Sequence, residues 1–109
     1  MTKVGIRKQG GKIVSVTCDG HTGYGVQGED IVCAALSSIV QTAVLGLMAV
    51  AGIRVALERD DAVGFLRATL PRDLSESERH DADVILETMC MGIADLYEGY
   101  SDFIEMEVQ

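Results

Sequence analysis

Aromatic and basic residues are both scarce in this sequence. It has no tryptophan, three tyrosines and two phenylalanines among its 109 residues, so it offers little for stacking the bases of a single-stranded nucleic acid. Nine Lys and Arg against seventeen Asp and Glu give a formal net charge of -8. That charge argues against a binding surface for DNA or RNA, and it would attract a basic partner such as a basic peptide substrate.

Cysteine and histidine are also few and scattered. The cysteines Cys18, Cys33 and Cys90 are an odd number without a CxxC pair, and there are two histidines. This distribution provides neither a disulfide framework nor the ligand spacing of a zinc site, so we expect no metal and no cofactor. The first eight residues, MTKVGIRK, lack the apolar run of a signal peptide, and we expect a cytoplasmic protein.

Charge is absent altogether from residues 31–53, a run long enough to span a bilayer. Polar residues interrupt the run, among them Ser37, Ser38 and Gln41, and only Arg54 could act as a basic anchor at its ends. We therefore interpret the run as a buried helix that leads directly into a strand, and we expect no membrane association.

The remaining pattern predicts the order ββαββαβ. The first two strands lie near residues 4–6 and 13–17 and are joined by Gly10-Gly11, and the first helix runs from Asp30 as N-cap to about Val50, with Gly52 as its stop. Two further strands at 53–58 and 62–70 are joined by Arg59-Asp60-Asp61. The second helix follows the capping box Ser75-Glu76-Ser77-Glu78 and has Gly99 as C-cap, and the last strand lies at 104–108.

This order predicts a single domain over residues 1–109 of the α+β class, with the helices packed on one face of a mostly antiparallel sheet. The first helix is apolar on several faces. A lone subunit would expose part of that apolar surface, so we expect a homodimer.

One imidazole and one thiol lie twelve positions apart, His21 before a glycine-rich loop and Cys33 after it. The spacing predicts Cys33 in the first turn of the first helix, where backbone N–H groups favour a thiolate, with His21 as its base. The reaction class would be acyl transfer. On residue type alone, a structural role of Cys33 in the core stays open, and Glu29 and Asp30 would oppose a thiolate.

Two other functions are compatible with the residues. The segment Gly23-Tyr24-Gly25-Val26-Gln27-Gly28 fits the dinucleotide fingerprint GxGxxG, but parallel βαβ repeats are missing and Glu29-Asp30 would repel a pyrophosphate. A non-enzymatic acidic adaptor that binds a basic ribosomal protein or an assembly factor is the stronger alternative, because the net charge explains it without an active site.

The string GHTGYGVQGEDIVCAALS resembles the signature G-H-(spacer)-G-x-D-I-V-C-A-A-x-S of the bacterial ribosomal-processing cysteine proteases, the Prp family. The matching residues are Gly20, His21, Gly28, Asp30, Ile31, Val32, Cys33, Ala34, Ala35 and Ser37.

The resemblance implies a thiol protease that removes the N-terminal extension of a large-subunit ribosomal protein. It implies Cys33 as nucleophile and His21 as general base, with Gly20, Gly28, Asp30 and Ser37 at the substrate. It also implies a homodimer, and a loop over residues 22–29 that orders on the substrate peptide.

Overall fold

The computed structural model describes residues 2–20 and 29–109. Its strands are β1 (Thr2–Gln9), β2 (Lys12–Gly20), β3 (Ala56–Asp60), β4 (Phe65–Thr69) and β5 (Ile104–Val108), and its helices are α1 (Glu29–Leu45) and α2 (Glu76–Tyr100). The chain order β1-β2-α1-β3-β4-α2-β5 confirms the predicted α+β arrangement.

The strands form one sheet in the spatial order β3-β4-β2-β1-β5. All neighbouring pairs are antiparallel except β1 and β5, which are parallel. A parallel neighbour needs a long crossover, and the connection from β1 to β5 contains the other three strands and both helices. Alternate residues such as Val4 and Ile6 of β1 and Val16 and Cys18 of β2 are buried in the core. The mostly antiparallel sheet was predicted.

Helix α1 is the core helix of the fold. The segment Ile31–Val50 has the length and composition of a membrane-spanning helix, yet residues at helical spacing along it belong to the hydrophobic core. These are Val32, Leu36, Val40, Val44 and Leu47. The last turn, Gly46–Val50, is π-helical, and the chain leaves it through Gly52, whose φ of +67° is the left-handed conformation that glycine adopts without strain. The predicted stop is confirmed.

Both hairpins are present, but only the first has its predicted turn. Gly10 and Gly11 form a two-residue loop with φ of +61° and +79°, the conformation that matches strand twist. The predicted turn Arg59-Asp60-Asp61 is wrong, because β3 continues through Asp60 and β4 begins only at Phe65. Local sequence could not separate charged residues of an exposed edge strand from those of a turn.

The two helix ends show what local capping signals can decide. Ser75 and Glu78 form the predicted capping box, with hydrogen bonds of 3.2 and 3.0 Å. Gly99 is not a C-cap, because α2 runs on to Tyr100 and Gly99 lacks a positive φ. Asp30 is not the N-cap, because α1 already includes Glu29. An acidic residue suits both the cap and the first turn, so its presence alone could not locate the helix start.

Several sequence predictions lie wholly or partly outside the described residues. They concern His21, Gly28, the loop over residues 22–29 and the fingerprint Gly23–Gly28. At the margins of that segment, β2 extends through Gly20, beyond the predicted strand end at residue 17, and α1 includes Glu29, the last residue of the predicted loop.

Candidate active site

The structure brings Gly20 and Cys33 into direct contact. Gly20 ends β2, opposite Thr2 of β1, and Cys33 lies on α1 with 8% of its surface exposed. A Cβ atom placed on Gly20 would lie 2.5 Å from Cys33 Sγ, which is closer than non-bonded carbon and sulfur can approach. The thiol is therefore seated over the backbone of Gly20, in space that any larger residue would fill.

Cys33 is the fifth residue of α1 as the structure describes it. The sequence predicted the first turn, so this placement is a correction that follows from the earlier start of the helix. The effect of the macrodipole falls off within the first turn, so its field at this position is weaker than at the predicted one. Helical side chains lean toward the N-terminus, however, which directs Sγ back over the turn that precedes it.

The β3–β4 turn holds Gly20 from another direction. The Gly20 N–H donates a hydrogen bond of 2.8 Å to the Gly64 carbonyl oxygen. Gly64 is the last turn residue before β4 and has a φ of +68°. The sequence patterns did not predict a role for Gly64 at the site. The one signal for such a role was a glycine just before the apolar residues that open β4.

A second thiol lies close to this site. Cys18 is buried in the core two residues before Gly20, and burial raises the pKa of its thiol to about 11, with a further upward contribution from the neighbouring Cys33 and an opposing hydrogen bond with Ser37. A thiol with this pKa is neutral at physiological pH and a poor nucleophile. Burial also raises the pKa of Cys90, which lies on α2.

A small cavity of about 90 Å³ lies one helical turn beyond Cys33. Ser37 and Gln41 of α1 line one side of it, and Asp61 and Gly64 of the β3–β4 turn line another. Ser37, which the sequence assigned to substrate binding, thus lies near Gly20 and Cys33. Of Asp30 the structure describes only the backbone, within α1, and His21 and Gly28 lie outside the described residues.

No group of three or more His, Cys, Asp and Glu side chains in the described part of the chain is placed to hold a metal ion. His80 belongs to no such group. Its exposed ring lies on the surface of α2, with Nδ1 3.4 Å from Asp81 Oδ1. The chemistry that the described residues can support is therefore that of a buried thiol at the junction of α1, β2 and the β3–β4 turn.

Comparison with known proteins identifies relatives over almost the whole chain. Residues 1–105 match the family model described as cysteine protease Prp. The ribosomal processing cysteine protease Prp of Bacillus subtilis is 27% identical over 103 residues, which cover 94% of this chain and 92% of the relative.

Two solved structures of the Staphylococcus aureus ribosomal processing protease Prp are similar to this one over all of both chains. The complex with a substrate peptide has a TM-score of 0.88 at 26% identity. The complex with a covalently linked product peptide has a TM-score of 0.83 at 27% identity.

Replacement of Gly20 tests the contact with Cys33. In Gly20→Ala the added methyl group overlaps Sγ, so the thiol must rotate or α1 must move away from β2. We expect a loss of about 1–3 kcal/mol in the free energy of unfolding, the usual cost of overpacking a core, and an altered rate of Cys33 alkylation by iodoacetamide, measured by peptide mass spectrometry.

Gly5→Ala is the matched control, because a Cβ at Gly5 of β1 would meet only Thr17 Cβ at an ordinary 3.7 Å. Equal unfolding free energies and equal Cys33 alkylation rates for the two variants would contradict the contact.

The raised pKa of Cys18 predicts a loss of stability at alkaline pH. Because the folded protein holds this proton more tightly than the unfolded chain, the stabilisation is present below the ordinary pKa of 9.0 and is lost as the pH rises through about 11. The shift corresponds to about 2–3 kcal/mol. Denaturant unfolding across this range should show a larger loss in the wild type than in Cys18→Ala, in which the raised pKa of Cys90 still contributes; the same pH dependence in both proteins would refute the prediction.

Proposed function

Because the chain belongs to the Prp family of cysteine proteases, we propose that it removes the N-terminal extension of a large-subunit ribosomal protein, with Cys33 as nucleophile and His21 as general base and acid. The observation that carries this proposal is the seat of the Cys33 thiol on Gly20, the residue that precedes His21 in the chain.

The tether between the two residues supports their roles. His21 is bonded to Gly20, and Gly20 contacts Cys33 Sγ. The residue that carries the imidazole therefore directly follows, along the chain, the residue on which the thiol rests. A base within hydrogen-bond reach can take the thiol proton and later protonate the leaving amine. The S. aureus relative has been solved in complex with a covalently linked product peptide.

The chemistry follows the usual course of acyl transfer by a thiol. The thiolate attacks the scissile carbonyl carbon, the tetrahedral intermediate collapses with cleavage of the C–N bond, and the imidazolium protonates the departing amine. Water then hydrolyses the thioester, with His21 as the base that activates it. Cys18 takes no part, because its raised pKa keeps it protonated.

The charge of the chain favours a basic peptide. Its formal net charge is -8, and the exposed Asp61 of the β3–β4 turn, which pairs with Arg59, lines the cavity beside Ser37. Proteins that bind ribosomal RNA are basic because they neutralise phosphates, so their terminal segments would be attracted to an acidic protein. We assign Gly20, Gly28, Asp30 and Ser37 to the binding of such a peptide, in a cytoplasmic enzyme.

Cleavage assays test the proposal. Peptides that span the N-termini of the host's large-subunit ribosomal proteins should be cut by the wild type, not at all by Cys33→Ala, and about 100-fold or more slowly by His21→Ala, since general base catalysis contributes at least that much. Product formation is followed by mass spectrometry, and both variants should melt close to the wild-type temperature.

Cys90→Ala is the matched control and should retain wild-type turnover, because Cys90 lies on α2 away from Gly20. Binding of the peptides without cleavage by the wild type would support the acidic adaptor instead. Normal turnover by His21→Ala would refute the role of His21 as base.

A second copy of the chain is the partner that we propose for the apolar groove between α1 and α2. This groove of about 500 Å³ is lined mainly by apolar side chains, among them Ile39, Val50, Val84 and Ile85. Val50 and Val84 are 85% and 55% exposed, which is costly for an isolated subunit. The resemblance to the Prp family supports the homodimer.

Analytical ultracentrifugation tests this dimer. Val84→Glu would place a charge in the apolar interface and should convert the dimer to a monomer at micromolar concentration. Val108→Glu is the control, because Val108 is equally exposed, at 59%, but lies on the edge strand β5. A monomeric wild type, or a Val84→Glu variant that stays dimeric, would contradict this interface.

A further inference from the structure

We propose that Gly64 is a positioning residue for the catalytic pair: the β3–β4 turn sets the place of Gly20, and through Gly20 the relative positions of Cys33 and His21. The inference rests on the proposed role of His21 as base. Gly64 touches Gly20 and acts through it, although it lies 31 positions after Cys33 in the chain.

The conformation of Gly64 restricts this position to glycine for two separate reasons. Its φ of +68° is left-handed, a conformation that costs other residues about 1 kcal/mol or more. A Cβ on Gly64 would also overlap the carbonyl oxygen of Gly20 and would come within 3.2 Å of the Gly20 carbonyl carbon. The neighbour is backbone of a paired strand, which cannot turn aside as a flexible side chain can.

Gly64 contacts the backbone of Gly20, and Gly20 in turn contacts the thiol of Cys33. The Gly64 carbonyl oxygen accepts the Gly20 N–H at 2.8 Å, while the thiol of Cys33 occupies the space where a Gly20 side chain would lie. The end of β2 is thereby held by the turn and by α1 together. Gly20 contacts Cys33 and is bonded to His21. A shift of Gly20 would therefore change the position of one partner of the catalytic pair relative to the other.

The turn that carries Gly64 is itself braced. Asp60 accepts a hydrogen bond of 3.1 Å from the Ala62 N–H, and Arg59 donates one of 2.8 Å to Asp61. These bonds lie on the exposed side of the hairpin and do not touch Gly20. They offer a way to loosen the turn without adding an atom beside the site.

The experiment compares Gly64→Ala with Gly52→Ala. Gly52 has a nearly identical φ of +67°, but a Cβ there would meet nothing within 4 Å. Both substitutions impose the same left-handed strain, so their difference isolates the overlap with Gly20. The measurements are the free energy of unfolding, kcat and KM for peptide cleavage, and the pH profile of Cys33 alkylation by iodoacetamide.

We expect Gly64→Ala to lower kcat by about tenfold to 100-fold, the scale of the effect of a misplacement near 1 Å, with KM little changed, and to shift the alkylation pH profile. Gly52→Ala should lose stability but keep the wild-type kcat and profile. A Gly64→Ala variant that is folded and retains the wild-type kcat and alkylation profile would overturn the proposal.

If Gly64→Ala does not fold, Asp60→Ala decides the matter. Removing the brace of the turn should shift the alkylation profile in the same direction to a smaller extent, and an unchanged profile would overturn the proposal. Alkylation needs no substrate, so its outcome is separate from the proposed function: a wild type that cleaves no ribosomal peptide refutes the substrate, while the alkylation profiles still judge the role of Gly64.

Discussion

The contact between the Cys33 thiol and the backbone of Gly20 is the constraint on which the candidate site depends. It joins the start of α1 to the end of β2 at a distance that leaves no room for a side chain. Because β2 ends at Gly20, the same contact fixes the point from which the chain continues. A glycine at this position is a requirement of packing against the Cys33 thiol.

The fold places two neighbouring thiols in different surroundings. Cys18 faces the core from the middle of the sheet, where burial raises its pKa to about 11 and keeps it neutral. Cys33 lies on α1 and contacts Gly20, two residues beyond Cys18 on β2. Both residues are largely buried, and they differ in place: Cys18 lies within a central strand, and Cys33 lies on the helix that packs on the end of that strand.

Sequence patterns predicted the elements whose cause is local. The glycine pair of the first hairpin, the capping box of α2 and the uncharged run that forms the buried helix α1 each depend on residues close together in the chain, and all three are present in the structure. The errors arose where one residue type suits two local structures. Asp60 belongs to a strand instead of a turn, Gly99 continues a helix, and the earlier start of α1 makes Cys33 its fifth residue instead of its third.

The sequence by itself determined the class of the fold, through the periodicity of its apolar residues. It also determined the family and the identity of the candidate nucleophile, through one contiguous motif. Tertiary structure decided which residues surround that nucleophile. Gly20 and Cys33 are thirteen positions apart, and Gly64 lies 44 positions beyond Gly20; only the pairing of β2 with β4 and the packing of α1 bring them together. A glycine in a turn signals local flexibility in the sequence, whereas its close approach to another strand exists only after the chain has folded.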